Sequence, residues 1–540
     1  MPGGPPLVTL AAARRVAVPV LVAAVAAVGL LGADPRRPGA AVAVTGEPDV
    51  RITGAPPGSW DPVRAGDVAT AATLAQVHEG LTAFDELARV QPALAERWRI
   101  EDAGRRIVFE LRPGIRFSDG SPIRAQDVVA SWLHVLEPGQ SPLWSLLSDV
   151  RGAAAYRDGS GRREEVGIRA DGDTVVIEAR RPAAYLVAAA ASPTLAVLQE
   201  GAAARIDRPA VPEGFVGSGA YVPVSATATA IRLEANRHYW AGPPPLDVVE
   251  LVVDLEQRTT VEAFEEGLID YTDISAFDAS WVRYDKTLGP QLRRVDSLSV
   301  EYIGFDTSRP PFDDARVRRA VATAVDWDRI AALAGLTGPP VTSLVPPGIA
   351  GRGSEDFTPD HDPEAARAEL AEAGYPGGRG LAPVRLVFGG PSQGEPLIES
   401  VIARQLRDEL GIETIIEAYD GDLVGYLEAD PPPIFRLSWI ADYPAPQDFL
   451  GLLLETGSGN NYGRWSNAAY DAALDAAATT DDPAAQARHY AAAQGILRDE
   501  VPVVPIAYGE SWALGRRGLL GALESGVGFV RFAGLDVEAP

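Results

Sequence analysis

A chain of 540 residues with 46% hydrophobic content can bury a large core and is long enough for two to four domains or one large two-lobed body. Its 74 acidic against 48 basic residues give a formal net charge of −26, which argues against a nucleic-acid surface and biases the summed field weakly toward cations. The absence of cysteine removes disulfides, thiol nucleophiles, iron–sulfur clusters and cysteine zinc sites. The histidines, His78, His134, His238, His361 and His489, include no H-x-x-x-H or H-E-x-x-H spacing, so a metalloprotease-like metal site is not expected.

In chain order, Arg14 and Arg15 precede the uncharged apolar run 16–33, between the length of a signal-peptide core and a minimal membrane span. The basic flank predicts export with the N-terminus inside. Ala41-Val42-Ala43 is a small-residue cleavage candidate, but it lies well beyond the apolar run, and an uncleaved anchor is favoured. Residues 34–50 read as a linker. Apolar spacing predicts helices over 65–81 and 125–136, with strands at 106–112 and 174–180. Strand pieces follow at 217–224 and 230–240, then a buried strand at 247–255 and a helix from 258 that stops at Gly267 and feeds another strand. A second block opens with a strand at 300–307 and a helix over 314–335, then a helix over 362–374 that has Asp362 before Pro363 at its start. Strand 384–389, helix 395–411 and strand 412–419 form the clearest βαβ unit. In 436-RLSWIADYPAP-446 an apolar strand runs into Asp442, and the prolines that follow are expected to stop regular structure. Helices over 466–478 and 482–500 lead to a strand at 503–509. The tail beyond 510 is too short for a domain and is expected to pack on the first block.

Several stretches, collinear over roughly residues 58–515, resemble the extracytoplasmic solute-binding proteins of ABC importers, family 5, the dipeptide and oligopeptide class. They include 107-IVFELRPGIRFSDGSPIRAQDVVASW-132, 217-GSGAY-221, 236-NRHYWAGPPPLD-247, 311-PFDDARVRRAVATAVD-326, 439-WIADYPAP-446 and 498-RDEVPVVPIAY-508. The resemblance implies an α/β, two-lobed periplasmic-binding-protein-like clamp of type II with an inserted subdomain. After an anchor segment and linker (1–44), lobe one would span 45–300, with the insertion near 84–205. Lobe two would span 301–503, and residues 504–540 would return to lobe one. Strands near 296–303 and 501–507 would form the hinge, and ligand would bind between the lobes. The implied function is capture of short peptides for ABC permease subunits with cytoplasmic ATPases, without catalysis or cofactor. The protein would be a monomer outside the cytoplasmic membrane, either anchored to its outer face through the N-terminal segment alone or secreted. The family often has Gly-Thr-Gly-Pro-Tyr where this chain has Gly217-Ser218-Gly219-Ala220-Tyr221, and little consequence is expected from the difference.

Asp442 matches the acid that in peptide-binding members accepts the ligand's α-ammonium; the alternative is a carboxylate that caps its own turn. Trp439 would help form a side-chain pocket or else pack in the core, and the strand period points it away from Asp442 unless the strand twists or ends there. Ile440 and Tyr443 belong to the same motif, and the edge at 438–441 offers main-chain bonds to an extended peptide. Arg436 aligns with a position that can meet a peptide carboxylate, or is a solvated edge arginine. Trp144, Asp67 and Val68 complete the candidate set. Rival readings are another solute on the same fold (nickel chelate, oligosaccharide or antibiotic), a receptor without an importer, and an exported hydrolase. The hydrolase would need two acids about 5–10 Å apart, with Asp442 and Asp448 as a nominal pair.

Overall fold

The computed structural model describes residues 46–85, 88–333, 339–390, 396–480, 482–521, 524–525 and 527–538. The apolar run at 16–33, the cleavage candidate and most of the linker lie outside the described residues. Residues 48–540 form a compact unit by themselves, and everything below concerns that unit.

Ten strands make one mixed sheet. In spatial order they are Thr414–Tyr419, Val384–Gly389, Ile434–Ile440, Leu292–Phe305, Val503–Gly515, Tyr271–Ile274, Val50–Thr53, Val248–Val252, Ala230–Ala235 and Tyr221–Ala226. Parallel pairs occur where a helix intervenes. Leu397–Leu410 bridges Val384–Gly389 and Thr414–Tyr419, and Thr260–Glu265 lies on the path from Val248–Val252 to Tyr271–Ile274. The fold is therefore α/β.

Two long antiparallel strands, Leu292–Phe305 and Val503–Gly515, form the centre of the sheet and join its halves. Sequence periodicity predicts only 300–307 and 503–509. The missing portions, such as 292-LRRVDSLS-299, carry too little alternation to be read locally, and they become strands because each supplies the other's hydrogen bonds. Their register shifts between Asp296 and Val300 and again between Glu301 and Tyr302. Such irregularities bend and twist a strand, and here they fall where one half of the sheet gives way to the other.

A second, four-stranded antiparallel sheet holds Ala95–Glu101, Arg106–Leu111, Thr174–Glu178 and Ile168–Asp171 in that order. The helix Ala125–Val135 buries Val128, Trp132, Leu133 and Val135 within the core this sheet shares. Its start is fixed by Asp127, whose carboxylate accepts the Arg124 amide at 2.8 Å.

Two local expectations are corrected. The helix expected over 314–335 is two helices, Ala315–Ala324 and Trp327–Leu333, because Val325 is extended (φ −96°, ψ 131°). Pro446 does not stop regular structure: it opens the helix Pro446–Leu454 at a position where its missing N–H costs nothing.

The tail folds back across the first residues of the unit. The Phe532 amide donates to Gln76 Oε1 at 2.9 Å, and Arg531 Nη2 reaches both oxygens of Glu79 at 2.7–2.8 Å.

Candidate functional site

The strand Ile434–Ile440 pairs along its whole length with Leu292–Phe305, but on its other edge only Ile434, Phe435 and Arg436 meet a neighbour. From Leu437 onward that edge is unpaired among the described residues. The strand ends at Ile440, and the Ala441 amide donates to Leu298 O at 2.9 Å. Because regular alternation stops there, Trp439, Ile440 and Asp442 all line one cavity.

The cavity holds about 250 Å³. One wall is the stretch 438–442. The facing wall is Ala65, Gly66, Asp67, Val68 and Ala71, at and before the start of the helix Val68–Val77. Asp67 caps that helix through the Thr70 amide at 2.9 Å, which fixes its carboxylate at the rim. Phe84, Leu143, Ser192, Pro193, Thr194 and Val527 close the sides. A larger hollow of about 730 Å³ near Tyr239 and Trp240 contains none of the 438–442 residues, and its Arg531 is held by Glu79.

Charge distribution sets the cavity's chemistry. Among the described residues, its only charged lining groups are Asp67 and Asp442. Asp442 Oδ2 is inaccessible to water and has no hydrogen-bond partner, so the turn-cap alternative lacks its bond. Burial lifts the Asp442 carboxyl from the ordinary range to about 7. Behind it, in the first turn of Pro446–Leu454, Asp448 is fully buried. Its Oδ2 accepts Trp439 Nε1 at 2.8 Å and its Oδ1 has no partner. Burial first, then the charge of Asp442, push Asp448 well above the usual carboxylate range.

The other expected residues lie off the cavity. Tyr443 is buried beneath it, stacked on Tyr185 at 5.5 Å with 17° between ring planes, its hydroxyl bonded to Gln447. Arg436 is occupied: Nε meets Glu399 Oε1 at 2.5 Å and Nη1 meets Glu301 Oε2 at 3.0 Å. It is neither a solvated edge arginine nor free for a ligand carboxylate. Trp144 packs beneath the Arg157 guanidinium at 5.1 Å, and its neighbour Leu143 reaches the cavity in its place.

Motif reading missed Phe84, Leu143, Ser192, Thr194 and Val527, which arrive from separated short segments: a strand end, a 3-10 turn and loops. It reached Asp448 only as a nominal hydrolytic partner. The available signal was an acid two residues after a helix-opening proline, within reach of a tryptophan on the preceding strand. No cluster of His, Asp or Glu able to hold a metal exists among the described residues.

A mixed sheet spanned by two long strands, with a cavity between a strand end and a facing helix start, defines a two-lobed binding protein. The family model of bacterial extracellular solute-binding proteins, family 5, matches residues 89–461. The chain belongs to that family, whose members bind solutes outside the cytoplasm and are not enzymes. It is 30% identical over 470 residues to a probable deoxycholate-binding periplasmic protein of Escherichia coli K12, covering 84% of this chain and 86% of the relative. It is 27% identical over 471 residues to the periplasmic murein peptide-binding protein of the same organism, covering 83% and 85%. The solved structure of the E. coli murein tripeptide-binding protein superposes with a TM-score of 0.77 at 24% identity, covering 90% of this chain and 98% of that one. That of the Haemophilus influenzae oligopeptide-binding protein in complex with a peptide gives 0.75 at 22%, covering 91% and 99%.

Proposed function

We propose that this protein captures a short peptide, or a similar solute with a free amine, and hands it to an ABC permease. The observation that carries the reading is Asp442: a carboxylate at the cavity with a buried, unpartnered oxygen and no cation beside it. An incoming ammonium would supply the missing partner through a charge-assisted hydrogen bond. The open edge at 438–440 would take main-chain bonds from the peptide, and Trp439, Ile440 and Val68 would contact its side chains. A volume near the lower end of small-molecule pockets, roughly 300–1,000 Å³, favours a short ligand. The name of the 30% relative invites comparison with an anionic bile acid. Such a ligand would meet no arginine, lysine or histidine among the lining residues.

Within this reading, lobe one comprises residues 45–300 with an inserted subdomain near 84–205, plus the return of 504–540, and lobe two comprises 301–503. The hinge lies at the register shifts of the central strand pair. The protein works as a monomer, held at the outer face of the cytoplasmic membrane by residues 16–33. A ligand carboxylate would reach Arg436 only by displacing Glu399 or Glu301.

A thermal-shift screen against di- to pentapeptides and their N-acetylated forms tests amine capture. A one-site ligand at 100 times its Kd adds about 2.7 kcal/mol. Stabilisation by free-amine peptides that is lost on acetylation and in Asp442→Ala is expected. A response indifferent to both changes would remove Asp442 from the site.

A further inference from the structure

We propose that Asp442 and Asp448 act as one proton-holding dyad, and that a cationic head group entering the cavity expels the dyad's proton, so that capture is linked to pH. The proposal rests on the amine-capture reading above and adds its regulation.

Two carboxyls share the turn between the strand Ile434–Ile440 and the helix Pro446–Leu454, each with an oxygen that is buried and without a partner. The Trp439 indole and the Asp442 and Tyr443 amides offset part of the cost at Asp448, but the groups packed around the pair supply no counter-charge. Tyr443 lies beside both acids, Tyr185 stacks on it from across the cleft, and Tyr490 approaches from the helix Pro483–Glu500. Behind Tyr185, whose hydroxyl donates to Asp149 at 3.2 Å, lies Arg181. That guanidinium is already shared among Asp149, Glu455 and Asp475. Asp67, across the cavity, adds a third negative group. No arginine or histidine is hydrogen-bonded or ion-paired to Asp442 or Asp448 among the described residues.

Two ionised carboxylates without a counter-ion are expensive to bury, so an interacting pair of this kind keeps a proton and titrates as a unit. Both carboxyls are pushed in that direction, Asp442 to about 7. Trp439 fixes the inner acid through its indole N–H and also lines the cavity, which ties the dyad's geometry to the ligand wall. An ammonium that reaches Asp442 stabilises the ionised form. The exchange balances as ammonium plus protonated dyad giving an ammonium–dyad ion pair plus one proton released to solvent. On the acid side of the free dyad's titration, one proton released per ligand tightens Kd by about tenfold per pH unit.

The test uses the full chain held in detergent, with trialanine as probe. Calorimetric titration at pH 6.5 in phosphate and in Tris, buffers of different ionisation enthalpy, reads the protons released. Close to one per trialanine is expected, with a clear reduction and a weaker pH dependence in Asp448→Asn, whose amide oxygen can still accept from Trp439. Infrared spectra of the ligand-free protein read the dyad directly: a buried carboxylic C=O band that fades between pH 6 and 8 and is altered in Asp448→Asn is expected. Trialanine binding with no proton exchanged would overturn the dyad's role and leave amine capture standing. Absence of the infrared band would overturn the dyad whatever binds. The band present with no trialanine bound would overturn amine capture of this probe and the exchange with it.

Discussion

Gly217 and Gly219 pass so close to the end of the helix Val68–Val77 that a Cβ would stand 2.2 Å from Val77 O at the first and 2.6 Å from the His78 amide nitrogen at the second. What matters in this stretch is therefore the two glycines, whereas Ala220 is simply buried beside them. Gly219→Ala should cost about 1–3 kcal/mol through backbone displacement, seen as a lower midpoint in thermal unfolding. His78 is a second single-residue determinant. Its Nε2 lies 3.0 Å from Trp60 O, and burial pulls its pKa from 6.5 to about 4. Between those values the unfolded chain binds more protons than the folded one. The His78 contribution to stability is therefore present above pH 6.5 and falls by about 3 kcal/mol as the pH drops to 4. His78→Gln should flatten that slope in denaturant titrations across the window. Asp442 acts with the opposite sign. Its raised pKa makes the ligand-free fold less stable as pH rises from 3.8 to about 7, so Asp442→Asn should raise the ligand-free midpoint at pH 8.

Elements were legible where their own residues carry the pattern. The strand Val384–Gly389 and its following helix show clean alternation and then helical spacing, and both form where expected. The far ends of the long central strands were not legible, because their order comes from a partner about two hundred residues away. The site divides along the same line. Asp442, Trp439, Ile440, Asp67 and Val68 converge because a strand end and a helix start face each other; a local motif marks the strand end, whereas Asp67 and Val68 were placed only by their position ahead of the helix. Arg436 leaves the set because Glu399, on a helix the motif does not include, claims its guanidinium. The helix Ala125–Val135 supplies a test at this scale. Protonated His134 donates from both ring nitrogens, to Asp61 and Glu137 at 2.8 Å, and the bond to buried Asp61 raises its pKa most. The stabilisation is complete below pH 6.5 and is lost as pH rises through the folded value. His134→Ala should cost about 1–2 kcal/mol at pH 6 and less at pH 9, measured by denaturant unfolding at both.

Across the whole molecule, segments far apart in the chain are tied by contacts that no short motif encodes. Arg181 reaches Glu455 Oε2 at 2.6 Å, Asp149 at 2.7 Å and Asp475 at 3.1 Å, while Tyr185 stacks on Tyr443. Arg181→Ala leaves buried Asp149 and part-buried Glu455 short of a partner and removes one tie between the segments 149–185 and 443–475. A larger radius of gyration in ligand-free solution scattering is the expected result, with an unchanged value arguing that the aromatic stack alone holds these segments together. The returning tail carries a different consequence. Val50–Thr53 sits in the sheet one strand away from Val503–Gly515, and Gln76 and Glu79 are bonded to Phe532 and Arg531. At roughly 5–20 residues per second, a ribosome needs on the order of half a minute to two minutes to deliver those final residues. Throughout that interval Tyr271–Ile274 lacks its neighbour on one edge, and Gln76 and Glu79 lack the groups they bond. A chain interrupted before residues 503–532 would therefore be left with an open sheet edge at 271–274 and unmatched groups at Gln76 and Glu79, parts that were made hundreds of residues earlier.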